Sequence, residues 1–201
     1  MTSGPMLVAA VTLALGSGLL QSAASQARAG HQTATFAGGC FWCVESDFDK
    51  VPGVISTTSG YTGGRVARPS YDQVSRGGTG HAEAVQIVFD PAVITYEQLL
   101  DHFWRNVDPF VVHRQFCDVG DQYRPEVFVH SAAQRAAAEA SKRRHQMRFS
   151  QPILVRVTDA TAFYPAEAYH QDYHHTHSLQ YRFYRWSCGR DARLQEIWGV
   201  E

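Results

Sequence analysis

The chain has 201 residues, 44% of them hydrophobic and 12% aromatic, which suits one globular domain with a sizeable core. Its 18 basic and 19 acidic residues nearly cancel, so neither a nucleic-acid face nor a polyanion-binding patch is indicated.

The first thirty residues differ from the rest. Residues 6–20 are an apolar run rich in Leu, Val and Ala, and Ala27-Arg28-Ala29 follows as an Ala-x-Ala pattern before Gly30. The run is shorter than the roughly twenty apolar residues of a comfortable membrane span. It reads as a secretory signal peptide over residues 1–29, cut after Ala29 or near Ala24, with the working domain over 30–201. That domain is then expected outside the cytoplasm, in a periplasmic or other extracytoplasmic space. Residues 1–5 contain no Lys or Arg, and an uncleaved leader would anchor the domain to a membrane instead.

A β-prone run at 33–37 leads through Gly38 and Gly39 into an amphipathic stretch at 40–49, with Phe41, Val44 and Phe48 at helical spacing. Cys40 therefore starts a helix, where unpaired N–H groups favour a thiolate and lower a thiol pKa that is about 8.5 in free cysteine. A nucleophilic cysteine needs that ionised form. Phe41 and Trp42, next in the chain, can wall a small apolar pocket. Cys40 and Cys43 also fit half of a zinc site, but no second Cys-x-x-Cys follows. Two structural disulfides are the plain reading of four cysteines in an exported domain. A three-residue spacing closes almost no loop, however, so a Cys40–Cys43 bridge suits redox chemistry better than stapling.

Further along, 54–59 is a β-branched, alternating strand, and 60–64 reads as a glycine-rich loop without the Lys of a phosphate-binding loop. Ser70 caps a short helix over 69–74. The strand 81–90 is apolar on Ala82, Ala84 and Val88 and carries one acid, Glu83. On a solvated face Glu83 is an ordinary surface carboxylate; turned into a closed site it becomes a neutral proton donor. Thr95 caps an amphipathic helix over 95–104 that buries Leu99, Leu100 and Phe103. Residues 114–125 form a polar loop long enough to be functional. A strand at 127–130, an Ala-rich charged helix at 131–147 and a strand at 153–157 follow. The remainder is rich in aromatics and histidines. His170 and His174, four apart, would share a helical face, but no carboxylate accompanies them in a recognisable pattern and no metal is assigned.

Six stretches, in order, carry a resemblance: Gly39-Cys40-Phe41-Trp42, Gly60-Tyr61-Thr62-Gly63-Gly64, Pro69-Ser70-Tyr71, Gly80-His81-Ala82-Glu83-Ala84-Val85, Gln122-Tyr123-Arg124 and Tyr169-His170-Gln171-Asp172-Tyr173. Over residues 33–191 the chain resembles the peptide-methionine (S)-S-oxide reductases, the methionine sulfoxide reductase A family. The resemblance implies a single α+β domain, a two-layer α/β sandwich with a ferredoxin-like core. It implies reduction of the S epimer of methionine sulfoxide, free or in oxidised proteins. By the family pattern Cys40 attacks the sulfoxide sulfur, Phe41 and Trp42 hold the methyl group, and Glu83 protonates the oxygen. Tyr71 and Tyr123 hydrogen-bond that oxygen, and Asp118 matches an acidic position that helps fix the substrate. The chemistry agrees, because a sulfoxide oxygen leaves poorly until it is protonated.

Attack leaves a sulfenic acid, which a second thiol converts to a disulfide for thioredoxin or another dithiol to reduce, with no bound cofactor. Cys43 stands where many members carry glycine, and Cys117 where many carry asparagine. Cys188 lies in a C-terminal tail followed by Gly189. The expected order of resolving candidates is Cys188, then Cys43, then Cys117. Two other readings compete: a thioredoxin-like oxidoreductase, which leaves the aromatic pair and Glu83 unexplained, and a metal-binding protein using residues 170–177.

Overall fold

The computed structural model describes residue 1 and residues 30–199; the leader reading over 1–29 lies outside the described residues. In chain order the first elements are β1 (Gln32–Gly38), α1 (Phe41–Phe48), β2 (Val54–Thr62), α2 (Tyr71–Ser75), β3 (Ala82–Phe89) and α3 (Tyr96–Arg105). Then come β4 (Arg114–Gln115), β5 (Asp118–Val119), a 3-10 turn (Asp121–Tyr123), β6 (Pro125–Val129), α4 (Ala132–Gln146), β7 (Arg156–Asp159) and β8 (Tyr164–Pro165). A second 3-10 turn (Ala168–His170) precedes α5 (Tyr173–Thr176), α6 (Ser178–Ser187) and α7 (Arg190–Trp198).

Residues 34–38 of β1 are buried without alternation, as a strand covered on both faces requires. It pairs antiparallel with β3 on one side and β6 on the other, and β2 pairs antiparallel with β3. The trace β1-α1-β2-β3-α3-β6 with spatial order β6-β1-β3-β2 is the ferredoxin-like core. A parallel β7 beside β6 and a short β8 beside β2 extend it to six strands.

Strand alternation then assigns the faces. Ala34 and Phe36 of β1, Val85, Ile87 and Phe89 of β3, and Val127 and Val129 of β6 share one core with Phe41, Val44 and Phe48 of α1 and Leu99, Leu100 and Phe103 of α3. Phe36 stacks on Phe48 and Phe103 at 5.4 and 5.0 Å between centroids. The opposite face carries a smaller cluster of Ala37, Ala82, Ala84 and Phe128. Glu83 has the parity of Val85 and Ile87, so it points under α1 and is buried there. Ser70 and Thr95 both form capping boxes, with Gln73 and Gln98 returning the hydrogen bond.

Several boundaries differ from the sequence reading. Residues 60–62 continue β2 instead of forming a loop, because β8 lies against Gly60 so closely that a Cβ there would sit 2.4 Å from the Phe163 ring. The strand expected at 153–157 starts at Arg156, although Ile153 and Val155 are buried ahead of it. Val88 is only half-buried, since its parity is that of the smaller cluster. The polar loop at 114–125 contains the β4–β5 hairpin and a 3-10 turn. The C-terminal tail is two helices, α6 and α7, joined at Gly189 in the left-handed region.

Candidate active site

Five elements, α2, β3, β5, the 3-10 turn at Asp121–Tyr123 and α6, converge at the start of α1. Gly39, at φ +88°, turns the chain from β1 into the helix, and a Cβ there would meet Gln115 at 2.6 Å, so the hairpin packs directly on this turn. Cys40 is the N-cap, and its carbonyl accepts from the Cys43 and Val44 amides at 3.1 and 3.4 Å. A cavity of about 70 Å³ opens beside it, lined by Cys40, Phe41, Trp42, Tyr71, Glu83, Asp118, Tyr123 and Tyr184. A water molecule occupies about 30 Å³ in the liquid, so the space fits a group of a few heavy atoms. The structure thus brings together every catalytic and substrate-binding candidate read from the sequence, drawn from α1, α2, β3, β5 and a 3-10 turn.

Burial controls the charges here. Glu83 is held at a pKa of about 8 by desolvation, even though the Phe41 amide donates to its Oε2 at 3.1 Å. It is a neutral acid at pH 7. Asp118 is also raised by burial, against the hydrogen bond from Tyr184 and the field of Arg190. Desolvation pushes Tyr71 up to about 12 and raises Tyr123 and Tyr184 as well, so all three hydroxyls keep their protons.

The cysteine pair corrects one expectation. Cys40 is raised, not lowered: it is buried, it donates to Cys43, and the Glu83 and Asp118 carboxyl groups face it. The helix terminus does not offset this, because the Phe41 amide is taken by Glu83 and the Cys40 amide by Asp118. Cys43 is lowered, chiefly by the Cys40 hydrogen bond, with help from Arg190 and Arg185 against its burial. Of the two, Cys43 is therefore the more acidic thiol and Cys40 the one that holds its proton more tightly.

Behind the cavity lies an aromatic wall whose parts the sequence reading did not assign. Tyr173 stacks on Trp42 at 3.8 Å, and Tyr184 meets the same indole edge-on at 5.9 Å. Trp42 Nε1 donates to His170 Nδ1 at 3.1 Å, and the buried His170 ring is held neutral by desolvation. Glu167 accepts from the Tyr71 amide at 2.9 Å and the Tyr61 hydroxyl at 2.8 Å, fixing the start of α2. Tyr184 donates to Asp118 Oδ2 at 2.5 Å. Its only sequence signal was its place in an aromatic segment, and its role needs the helical phase of α6.

His170 and His174 do not share a helical face. His170 ends a 3-10 turn and packs in the aromatic wall, whereas His174 lies in α5 beside His175 and Asp49. Among the cysteines, Cys188 is bonded to Cys117, while Cys40 and Cys43 are free and buried. The tail that carries Cys188 is thus helical: Cys188 caps α6 and is tied to the β4–β5 turn.

A thiol hydrogen-bonded to a second, more acidic thiol and set beside a protonated carboxyl group is equipped to pass electrons and protons together, and it places the protein among thiol-dependent oxidoreductases. Comparison with known proteins specifies the member. A profile of the family described as peptide methionine sulfoxide reductase matches residues 32–201. Peptide methionine sulfoxide reductase MsrA of Bacillus licheniformis is 48% identical over 170 residues, 84% of this chain and 94% of that protein. MsrA/MsrB of Vibrio cholerae is 46% identical over 179 residues, 86% of this chain, which spans 46% of the length of that relative. Among solved structures, reduced Mxr1 of Saccharomyces cerevisiae superposes with a TM-score of 0.72 at 32% identity, covering 75% of this chain and 87% of that one. Mxr1 in complex with Trx2 superposes at 0.52 with 26% identity, covering 72% of this chain and 86% of that one. The chain belongs to the peptide methionine sulfoxide reductase family.

Proposed function

We propose that the protein reduces the S epimer of methionine sulfoxide, free or in oxidised proteins, with Cys40 as nucleophile and Glu83 as acid. The observation that carries this reading is the Cys40 sulfur and the neutral Glu83 carboxyl lining one cavity of a few atoms' volume. Phe41 and Trp42 enclose the methyl group, and the Tyr71 and Tyr123 hydroxyls hydrogen-bond the oxygen. Asp118, held by Tyr184, closes the remaining side.

Glu83 delivers its proton to the sulfoxide oxygen as the Cys40 sulfur attacks. The carboxylate so formed receives the Cys40 thiol proton, so Glu83 ends as it began. The products are the thioether and a Cys40 sulfenic acid. We assign the resolving role to Cys43 ahead of Cys188: its sulfur accepts a hydrogen bond from Cys40, which makes it the more acidic thiol of the pair, whereas Cys188 is engaged with Cys117. Attack of Cys43 releases water and forms a Cys40–Cys43 disulfide. Two electrons from an external dithiol, thioredoxin or an exported equivalent, return both thiols; no bound cofactor takes part in these steps.

The apolar run at 6–20 and Ala27-Arg28-Ala29 support export of the domain with the leader removed. An intact mass of the secreted protein starting at or near Gly30 is the expected result; a mass that retains residue 1 would reject cleavage. The activity is tested by supplying each sulfoxide epimer separately with dithiothreitol. Consumption of the S epimer alone is predicted, and consumption of the R epimer alone would reject the reading.

A further inference from the structure

Where α1 ends against α5, two histidines and a carboxylate meet. One side-chain donor atom from each of Asp49, His174 and His175 lies within 4.8 Å of the other two. Asp49 is the C-cap of α1, at the negative end of that helix. The Thr57 hydroxyl of β2 donates to Asp49 Oδ1, which leaves Oδ2 for another partner. His174 Nε2 stands 3.3 Å from that Oδ2. The His174 residue is only 9% exposed, and its Nδ1 has no hydrogen-bond partner. A buried imidazole left unsatisfied on one nitrogen is costly and calls for an explanation, a bound ion among them.

The arrangement suits a metal cation better than a proton. With the ring proton on Nδ1, Nε2 turns a lone pair toward a carboxylate oxygen, which repels it unless positive charge lies between the two. A proton can bridge those two atoms, but it leaves the third donor, on His175, unused. Donors around a tetrahedral zinc stand about 3.4 Å apart, given arms of roughly 2.0–2.2 Å, so the Asp49–His174 edge is already in place. His175 is exposed, which gives an ion its path from solvent and leaves room for water as a fourth ligand. Imidazole nitrogens favour zinc-class transition ions over magnesium and calcium. The surrounding charges are mixed: Asp172 adds to the pull of Asp49, and Lys50 opposes it.

We propose that Asp49, His174 and His175 bind one divalent transition cation of the zinc class and so fasten α5 to the end of α1. The site stands apart from the sulfur chemistry but borders the wall of the substrate cavity. Tyr173, next to His174, stacks on Trp42 at 3.8 Å, and the Asp172 amide donates to Glu45 of α1 at 3.0 Å. An ion at this junction holds α5, and with it Tyr173, against Trp42.

The test titrates zinc chloride by calorimetry into protein carrying Cys40→Ser and Cys43→Ser, so that the free thiols do not compete for the metal. One equivalent should bind. Adding His175→Ala, a change at an exposed position, should weaken binding by at least about tenfold; Asp49→Asn should do the same, and His177→Ala should leave it unchanged. At about a hundred times its dissociation constant zinc should raise Tm by roughly 5–10 °C, and His175→Ala should remove that rise. X-ray absorption of wild-type protein loaded with one equivalent of zinc, a measurement independent of how the double variant folds, should show nitrogen and oxygen neighbours at about 2.0–2.2 Å and no sulfur. Absence of binding, or binding that His175→Ala leaves unchanged or that His177→Ala weakens as much, would overturn the proposal. A sulfur shell at about 2.3 Å would place the ion on Cys40 and Cys43 and overturn it too. None of these readouts depends on sulfoxide reduction, so a failure of the enzymatic reading leaves them standing.

Discussion

Glu83 shows how one side chain converts strand parity into chemistry. It faces Tyr61 across the β2–β3 pairing, lies under α1, and is kept protonated to about pH 8 by desolvation. Glu83→Gln should therefore slow sulfoxide reduction about 10²–10⁴-fold, and the fall in wild-type rate above about pH 8 should be absent from the variant's pH–rate profile. The same shift bears on stability. The unfolded chain releases this proton near 4.5 and the folded one near 8, so the native state binds the extra proton between those values. Stability then falls as pH rises through that window and levels off above it. Glu45, raised to about 7 by burial with Asp49 and Asp172 close by, acts in the same direction, so the Glu83 part is read as a difference. Thermal melts of wild type and Glu83→Gln at pH 5 and pH 9 should show the variant gaining relative stability at the higher pH. Tyr184→Phe removes the hydrogen bond to Asp118 and should raise KM for the sulfoxide by roughly 5–30-fold, given about 1–2 kcal/mol for a hydrogen bond to a carboxyl group; an unchanged KM would free Asp118 from the pocket wall.

At the scale of elements, the site depends on α7 as much as on α1. Arg190, fully enclosed, donates to the Gly38 and Asn106 carbonyls at 3.1 and 2.7 Å and pairs with Asp47 at 3.3 Å. Phe116 covers its guanidinium at 4.5 Å. One side chain thus ties the C-terminal helix to the turn that carries Cys40. Arg190→Ala leaves two carbonyls unpaired in the interior and removes one of the two arginines that hold Asp47, Arg185 remaining at 2.7 Å; it should cost about 2–4 kcal/mol, measured by urea unfolding, and a loss within about 1 kcal/mol, the range of an exposed pair, would contradict this. The core βαββαβ elements were legible in the sequence because their signals are local: the β-prone run of β1, alternation in β2, caps at Ser70 and Thr95, helical spacing of Phe41, Val44 and Phe48. Positions decided by contacts across the fold were not. Gly60 reads as a loop residue until β8 lies over it, and the ionisation of Cys40 looks favourable until Glu83 and Asp118 take the helix amides. Tyr184 and the Cys117–Cys188 bond depend on how α6 docks, which neither motif nor spacing encodes.

For the whole molecule, the sandwich separates two thiol centres by burial. The inner pair meets a small substrate in a closed cavity, and the outer pair meets solvent at the end of α6. This division predicts distinct phenotypes. Cys40→Ser should abolish turnover, because a serine hydroxyl supplies neither the softness nor the redox chemistry of sulfur. Cys43→Ser should stop after one turnover, with the oxygen retained on the enzyme. The most direct measurement is a single turnover of Cys43→Ser protein with the S epimer and no reductant, followed by mass mapping. The account predicts one methionine released per chain and one added oxygen on the Cys40 peptide; release of methionine with Cys40 unmodified, or with the oxygen on another cysteine, would contradict it.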